Sequence, residues 1–129
     1  MAVIPWTTIQ TPLDGRNLKL IRWVALNAND TGQPFVVGGF SDKTIQIDGA
    51  TLGSGITIQG SIDPSELTSP DGGVVGAGWD TVNDPQGNAL AGITTEKVET
   101  VLEHIYLLRP NCAAGVTSAT VFLLLGSVR

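Results

Sequence analysis

The chain has 129 residues, of which 15% are charged, and its formal net charge is −5. This length predicts one domain with one core, and the acidic balance argues against a surface that binds nucleic-acid phosphates. The single cysteine, Cys112, excludes an internal disulfide framework and cannot by itself form a multi-cysteine zinc site.

The composition also predicts many turns and some apolar surface that faces other protein. Glycine (16 residues) and proline (7) are frequent, 42% of residues are hydrophobic, and the mean hydropathy is +0.20. So few charges leave more apolar area than one small core conveniently hides, and exposed apolar patches mark interaction sites. The alternative is a monomer with a neutral surface rich in Thr, Ser, Gln and Asn. We expect no secretory signal at Met1–Gln10 and no membrane span at Pro110–Val128, which polar and helix-breaking residues interrupt.

Residues 1–15 are predicted to form an extended N-terminal arm, and residues 16–129 the main domain. Two prolines and the Asp14-Gly15 turn exclude a helix in the arm, which nevertheless carries the apolar residues Ile4, Trp6 and Ile9. The arm either packs as an edge strand on its own sandwich or reaches a neighbouring subunit with Trp6 as a buried anchor. The sequence leaves both arrangements open.

Alternating apolar residues predict strands along the main domain. Arg16–Asn27 alternates in this way, and Asp42–Asp48 and Ile56–Gln59 each place two isoleucines on one face. We expect Thr44–Asp48 and Ile56–Gln59 to be adjacent antiparallel strands. The final strand, Thr117–Leu125, is apolar on both faces, which predicts a central position or a place under a subunit contact. Shorter β-runs are predicted at Pro34–Gly39 and Gly78–Val82.

Turn signals separate these strands. Asp63-Pro64, Ser69-Pro70, Asp71-Gly72 and Asn83–Asn88 are turn sequences. In Asp63-Pro64, Asp71-Gly72 and Asp84-Pro85, an Asp side chain can bond to backbone amides of the turn. The acids Asp63, Asp71, Asp80 and Asp84 could also suggest a cation site or a catalytic carboxylate pair, but their spacing matches no fixed ligand loop. Turn formation is the simpler interpretation.

The segment Thr95–Glu103 is ambiguous between helix and strand. Apolar residues recur there at helical spacing, from Val98 to Ile105, and Thr95 suits a helix N-cap, so a short helix over Glu96–Glu103 is predicted with a strand as the alternative. Ile105–Arg109 is predicted as a strand that ends before Pro110.

No catalytic constellation is present in the sequence. His104 is the only histidine, and no nucleophile-elbow, zinc-peptidase or phosphate-binding motif occurs. We therefore expect a protein that is not an enzyme and that takes no metal or cofactor. Trp23 and Trp79 lie on predicted strands as core or subunit-interface residues, and Arg109, at a strand end, could pair with an acid of its own chain or of a neighbour.

About eight strands, with no internal repeat, predict an all-β, single-domain antiparallel β-sandwich of jelly-roll type. One short helix and the N-terminal arm complete the predicted fold.

The second half of the chain has a more specific pattern. A strand ending in I-x-x-S is followed by a loop, a tryptophan strand, D-P-x-G-x-x-L and Y-x-x-R-P. This pattern resembles small bacteriophage head proteins, the capsid decoration (cement) proteins. The matching residues are Ile56, Ile58, Gln59, Ser61, Trp79, Asp84, Pro85, Gly87, Asn88, Leu90, Tyr106, Arg109 and Pro110.

The resemblance implies a structural virion protein that is made in the host cytoplasm and binds the outer capsid surface. Its partners would be the major capsid protein and its own copies, as a dimer or trimer, with no nucleic acid or membrane. The residues predicted to contact partners are Ile4, Trp6, Ile9, Trp23, Trp79 and Arg109. The alternative function is a carbohydrate- or receptor-binding sandwich module of a phage tail or secreted protein, which predicts exposed aromatics on one face.

Overall fold

The computed structural model describes residues 2–10, 18–67 and 78–126. In this part of the chain there are thirteen β-strands and one 3-10 helix, at Pro64–Leu67. The strands are β1 Val3–Ile4, β2 Trp6–Gln10, β3 Leu18–Leu26, β4 Thr31–Gly32, β5 Phe35–Val36, β6 Asp42–Asp48, β7 Thr51–Leu52, β8 Ile56–Ser61, β9 Asp80–Thr81, β10 Lys97–Thr100, β11 Leu107–Cys112, β12 Val116–Thr117 and β13 Ala119–Gly126.

The strands form two main sheets. The first has the order β1-β4-β11-β8-β9, with β5 also paired to β11, and the second has the order β10-β6-β13-β3-β2. β7 and β12 pair separately, and every pairing is antiparallel except that of β1 with β4. The prediction of an all-β, single-domain β-sandwich is confirmed, whereas the jelly-roll topology stays a prediction.

One hydrophobic core lies between the inward faces of the two sheets. Ile45 and Ile47 enter it from the second sheet, and Ile56 and Ile58 enter it from the first, all fully buried. Trp23 is also fully buried, and its Nε1 donates to the Gln33 carbonyl oxygen at 3.0 Å. This bond satisfies the indole N–H inside the core.

The predicted pairing of Thr44–Asp48 with Ile56–Gln59 is wrong. β6 lies in the second sheet and β8 in the first, so their isoleucines face one another across the core. The connection changes sheets around Gly53 and Gly55, which have positive φ angles of 51° and 104°. A Cβ on either glycine would lie 2.4 Å from another backbone segment, so glycine permits the tight passage.

The predicted short helix over Glu96–Glu103 is also wrong. Lys97–Thr100 forms β10, paired in register with β6 from Lys97 opposite Ile47 to Thr100 opposite Thr44. Val98 is 59% exposed, so the helical spacing of apolar residues here does not mark a buried face. The β-branched residues of this segment instead complete the edge of a sheet whose backbone groups need partners.

The strand predicted to end at Arg109 continues through Pro110 as β11. Pro110 is opposite Ile58 of β8, but the backbone N–H and carbonyl of Ile58 bond away from β11. On its other side, β11 changes partner from β5 at Leu108 to β4 at Asn111. Pro110 therefore lies where the ladder requires no N–H donor, which is the condition for proline within a sheet.

The described part of the N-terminal arm lies on the same chain's sandwich. β1 pairs with β4, β2 pairs with β3, and the Ala2 amide donates to Asp30 Oδ1 at 3.2 Å. Trp6 is half-buried and packs edge-on against Phe35, with ring centroids 4.8 Å apart. These contacts give the edge-strand arrangement for residues 2–10. The predicted turn at Asp14-Gly15 lies outside the described residues.

Candidate interaction surface

Around Arg109, the outer face of the first sheet is covered by its own chain. Arg109, on this face, is only 2% exposed, and its guanidinium carbon lies 4.1 Å from the centroid of the Trp79 ring. Arg109 Nε donates to Gln59 Oε1 at 2.9 Å, and Trp79 Nε1 donates to Glu66 Oε2 at 3.0 Å. We call Gln59, Glu66, Trp79 and Arg109 the Arg109 cluster. Through these contacts, the Arg109 cluster packs the 3-10 helix and Trp79 against the first sheet.

Burial lowers the pKa of Arg109 to about 10, and the negative charge of Glu66 opposes this shift. The guanidinium therefore remains charged at neutral pH, held by a ring face and hydrogen-bond acceptors in place of water. This arrangement stabilises the fold from within the chain.

The outer face of the second sheet is different, because its apolar side chains reach the surface. β13 is the central strand of this sheet: Val121, Leu123 and Leu125 are buried on its inner side, while Phe122 is half-buried and Leu124 is 36% exposed on its outer side. The predicted central position of this two-sided apolar strand is confirmed. A shallow groove runs across the face, and we call the uncharged part of its outward-facing lining the outer apolar face: Leu20, Thr44, Gln46, Val98, Phe122 and Leu124.

The charged residues Arg22 and Asp48 flank the outer apolar face, and the exposed Asp42 lies on the same face of β6 at its other end. Arg22 is exposed on β3, and Asp48 is half-buried on β6. Asp48 accepts a long bond from Gln46 Nε2 at 3.4 Å. A second set of exposed apolar side chains lies beyond the first sheet, where Ile62 (76% exposed) precedes the 3-10 helix and Leu67 (39%) ends it.

The residues predicted to contact partners occupy three kinds of place. Trp23, Trp79 and Arg109 are buried within the chain, and the structure brings the last two into contact. Ile4 and Trp6 are half-buried against the core, and Ile9 is 42% exposed. A role of these six residues at a partner interface stays a prediction. No sequence pattern singles out Val98 or Leu20, although the outward alternation of Phe122 and Leu124 indicates the face that all four share.

Asp63 and Asp84 act in turns, as predicted. Asp84 Oδ1 accepts the Gln86 and Asn88 amides at 3.0 and 2.9 Å, and the amide of Asn88, followed by that of Gln86, lowers the pKa of Asp84 against the effect of burial. Asp63 Oδ1 likewise accepts the Ser65 amide at 3.0 Å. Asp80 lies on β9, and the predicted turns at Ser69-Pro70 and Asp71-Gly72 lie outside the described residues.

A further polar contact holds the loop after β9 against the segment after β10. The two carboxylate oxygens of Glu103 accept the backbone and side-chain N–H groups of Asn83, each at 2.7 Å. Burial raises the pKa of Glu103, but the Asn83 bonds and the nearby Lys43 outweigh it, so the net shift is downward. Lys43 is itself 2% exposed, and burial lowers its pKa against the attraction of Asp42 and Glu103.

The geometry defines a β-sandwich protein in which the outer face of the first sheet is covered around Arg109 by its own chain, while the outer face of the second sheet exposes apolar side chains. No family model matches the chain, and neither the curated proteins nor the solved structures include a match. Among residues 2–10, 18–67 and 78–126, no three His, Cys, Asp or Glu side chains come together as a metal site. In the same ranges, no helix has the length and apolar character needed to cross a bilayer.

Proposed function

We propose that this chain is a structural virion protein that binds the outer surface of a phage capsid as a homo-oligomer and stabilises contacts between major capsid proteins. The observation that carries the proposal is the presence of two separate exposed apolar surfaces on a chain of low charge. One is the outer apolar face, and the other comprises Ile62 and Leu67. A decoration protein needs two such surfaces, because it must hold both its own copies and the shell. The resemblance of the second half of the sequence to decoration proteins supports the same proposal.

The mechanism is the addition of many small contacts. A single small apolar patch binds weakly, but an oligomer that touches several capsid subunits at once gains affinity through its effective local concentration. The internal contacts of the Arg109 cluster favour this role, because a rigid sandwich loses little conformational entropy on binding. The protein would be made in the host cytoplasm and reside on the capsid surface.

The aromatic residues do not favour the carbohydrate-binding alternative. That function predicts exposed rings on one face, but all seven aromatic residues lie in the described ranges and each is buried or half-buried. Trp79, the residue best placed by sequence to stack on a sugar, is 6% exposed and its N–H is bonded to Glu66.

The test is co-sedimentation with undecorated phage heads. Heads are assembled from the major capsid protein encoded nearest to the gene for this chain, mixed with the purified protein and pelleted. We expect saturable binding and an increase in the temperature at which the heads dissociate. Protein that stays in the supernatant at every ratio, with no change in head stability, overturns the proposal.

A further inference from the structure

The two charges that flank the outer apolar face lie on opposite sides of β13. In the sheet register, Arg22 of β3 is opposite Phe122, and Phe122 is opposite Gln46 of β6. Asp48 follows Gln46 by two residues and therefore shares its face of β6. The ion pair found within the described residues joins Lys97 to Glu99, so Arg22 and Asp48 have no charged partner there.

The same displacement relates two apolar residues of this face. The path from Arg22 to Asp48 crosses from β3 through Phe122 of β13 to Gln46 of β6. It then moves two residues along β6, from Gln46 to the next residue on the same face. From Leu124 of β13 to Val98 of β10, one again crosses two strands, through Thr44, and moves one position in the same direction. Adjacent strands are roughly 4.8 Å apart and same-face neighbours roughly 6.8 Å apart. One midpoint lies halfway between Arg22 and Asp48, and the other lies halfway between Leu124 and Val98. With those spacings, the line that joins the two midpoints is nearly perpendicular to both displacements.

We propose that this face binds a second copy of the chain, related by a two-fold axis that lies along this line. An axis in the plane of the face carries each end of a perpendicular displacement onto the position of the other end. Arg22 of one copy then meets Asp48 of the other, and the reverse, while Leu124 meets Val98 in the same reciprocal way. Phe122 lies close to the axis and packs beside the Phe122 of the second copy.

A second copy fits this face better than an unrelated protein because the face is complementary to itself. One arginine and one aspartate on opposite sides of an apolar centre form two equivalent ion pairs in a two-fold dimer. Burial of the apolar centre supplies the driving force, and the two ion pairs fix the register and reject other alignments. The strands of the two copies cross steeply, towards the orthogonal class of sheet packing.

This inference rests on the proposed function in its requirement for a homo-oligomer, and it names the surface that forms one. The outer apolar face is occupied by the dimer, which leaves Ile62 and Leu67 exposed for the shell.

A charge-swap experiment tests the dimer. Light scattering should give the wild-type protein twice the 13.4 kDa mass of the chain. Arg22→Asp and Asp48→Arg each place like charges together, so sedimentation velocity should show a dissociation constant raised by on the order of tenfold or more. The double variant R22D/D48R reverses both charges and should regain wild-type affinity. Leu124→Asp should give a monomer, and Ile62→Asp, away from the face, should leave the dimer unchanged.

Three results overturn the dimer: a wild-type mass of 13.4 kDa at the highest soluble concentration, a trimer, or a double variant no tighter than the single variants. Circular dichroism melts check that each variant folds. If Leu124→Asp does not fold, the comparison of the double variant R22D/D48R with the single variants still tests the dimer. None of these measurements uses heads. A dimer that does not bind heads upholds this inference and overturns the proposed function, and a trimer that binds heads does the reverse.

Discussion

A buried guanidinium is unfavourable unless neighbouring groups replace its lost water. At Arg109, the face of the Trp79 ring, the oxygen of Gln59 and the charge of Glu66 do so together. Trp79 makes two separate interactions in this cluster: its ring covers the Arg109 guanidinium, and its N–H donates a hydrogen bond to Glu66. Trp79 and Arg109 are 30 positions apart in the sequence, so their contact depends on the fold.

Substitution of Trp79 should separate those two interactions. Trp79→Phe keeps a ring over Arg109 and loses the bond to Glu66, so we expect a loss of about 1 kcal/mol in the free energy of unfolding. Trp79→Ala uncovers the cation and leaves a cavity, with an expected loss of about 3 to 5 kcal/mol. Urea unfolding followed by circular dichroism measures both, with the exposed Leu102→Ala as a control expected to change by less than about 0.5 kcal/mol. Equal losses for the two Trp79 variants would contradict this division.

Asp84 makes the stability depend on pH. Because hydrogen bonds from the Asn88 and Gln86 amides lower its pKa below the ordinary 3.8, the folded state favours the ionised form. Its contribution is therefore complete above that ordinary value and is lost as the pH falls through the folded pKa. We expect Asp84→Asn to lower the melting temperature at neutral pH.

The difference between wild type and Asp84→Asn should shrink as the pH falls from about 6 to about 2.5, because the wild type then loses the same contribution. Melting curves across this range give the measurement. Asp80→Asn, at an exposed position on β9, is the matched control for the loss of one carboxylate. A difference that stays constant with pH would show that the turn does not depend on the charge.

At the scale of elements, β4 and β11 approach too closely for a side chain at Gly32. A Cβ there would lie 2.5 Å from Pro110 Cδ and 2.8 Å from Trp23 Nε1, so Gly32→Ala must shift β4 or the proline ring. We expect a loss of about 1 to 3 kcal/mol in the free energy of unfolding, measured by chemical denaturation. Gly39→Ala, where nothing lies within 4 Å, is the matched control, expected to change by less than about 0.5 kcal/mol. Equal stabilities for the two variants would contradict the close packing.

Alternation of apolar residues predicted the strands well where one face is buried, as in β3, β6 and β8. It could not predict which strands pair, because Ile45 and Ile56 are buried equally well in one sheet or across two. At β10, Val98 and Val101 lie at helical spacing by coincidence, and the open edge of β6 decides in favour of a strand. Pro110 shows the same limit, since only the pairing of its neighbours reveals that no donor is needed there.

At the scale of the whole molecule, the low charge predicted apolar surface, and the sheet order determined where that surface lies. The two-sided pattern of β13 indicated the outer apolar face through Phe122 and Leu124. Leu20 and Val98 join them only because β3 and β10 belong to the same sheet. The flanking Arg22 and Asp48 are 26 residues apart in sequence, and their complementary placement depends on register, which no local pattern encodes.

The proposed function predicts that substitutions at Ile62 and at the outer apolar face have different effects on the binding of phage heads and on the dimer. Ile62→Asp introduces a charge where we expect the shell, so its affinity for undecorated heads should fall by on the order of tenfold or more while its solution mass stays that of the dimer. Leu124→Asp should lose the dimer, and its binding to heads should weaken because avidity is lost. Co-sedimentation and light scattering on the same preparations separate the two effects, with the exposed Thr95→Asp as a control for added charge. If Ile62→Asp binds heads as tightly as wild type, the shell does not contact this part of the sandwich. If Ile62→Asp no longer forms the dimer, Ile62 and the outer apolar face are not separate surfaces.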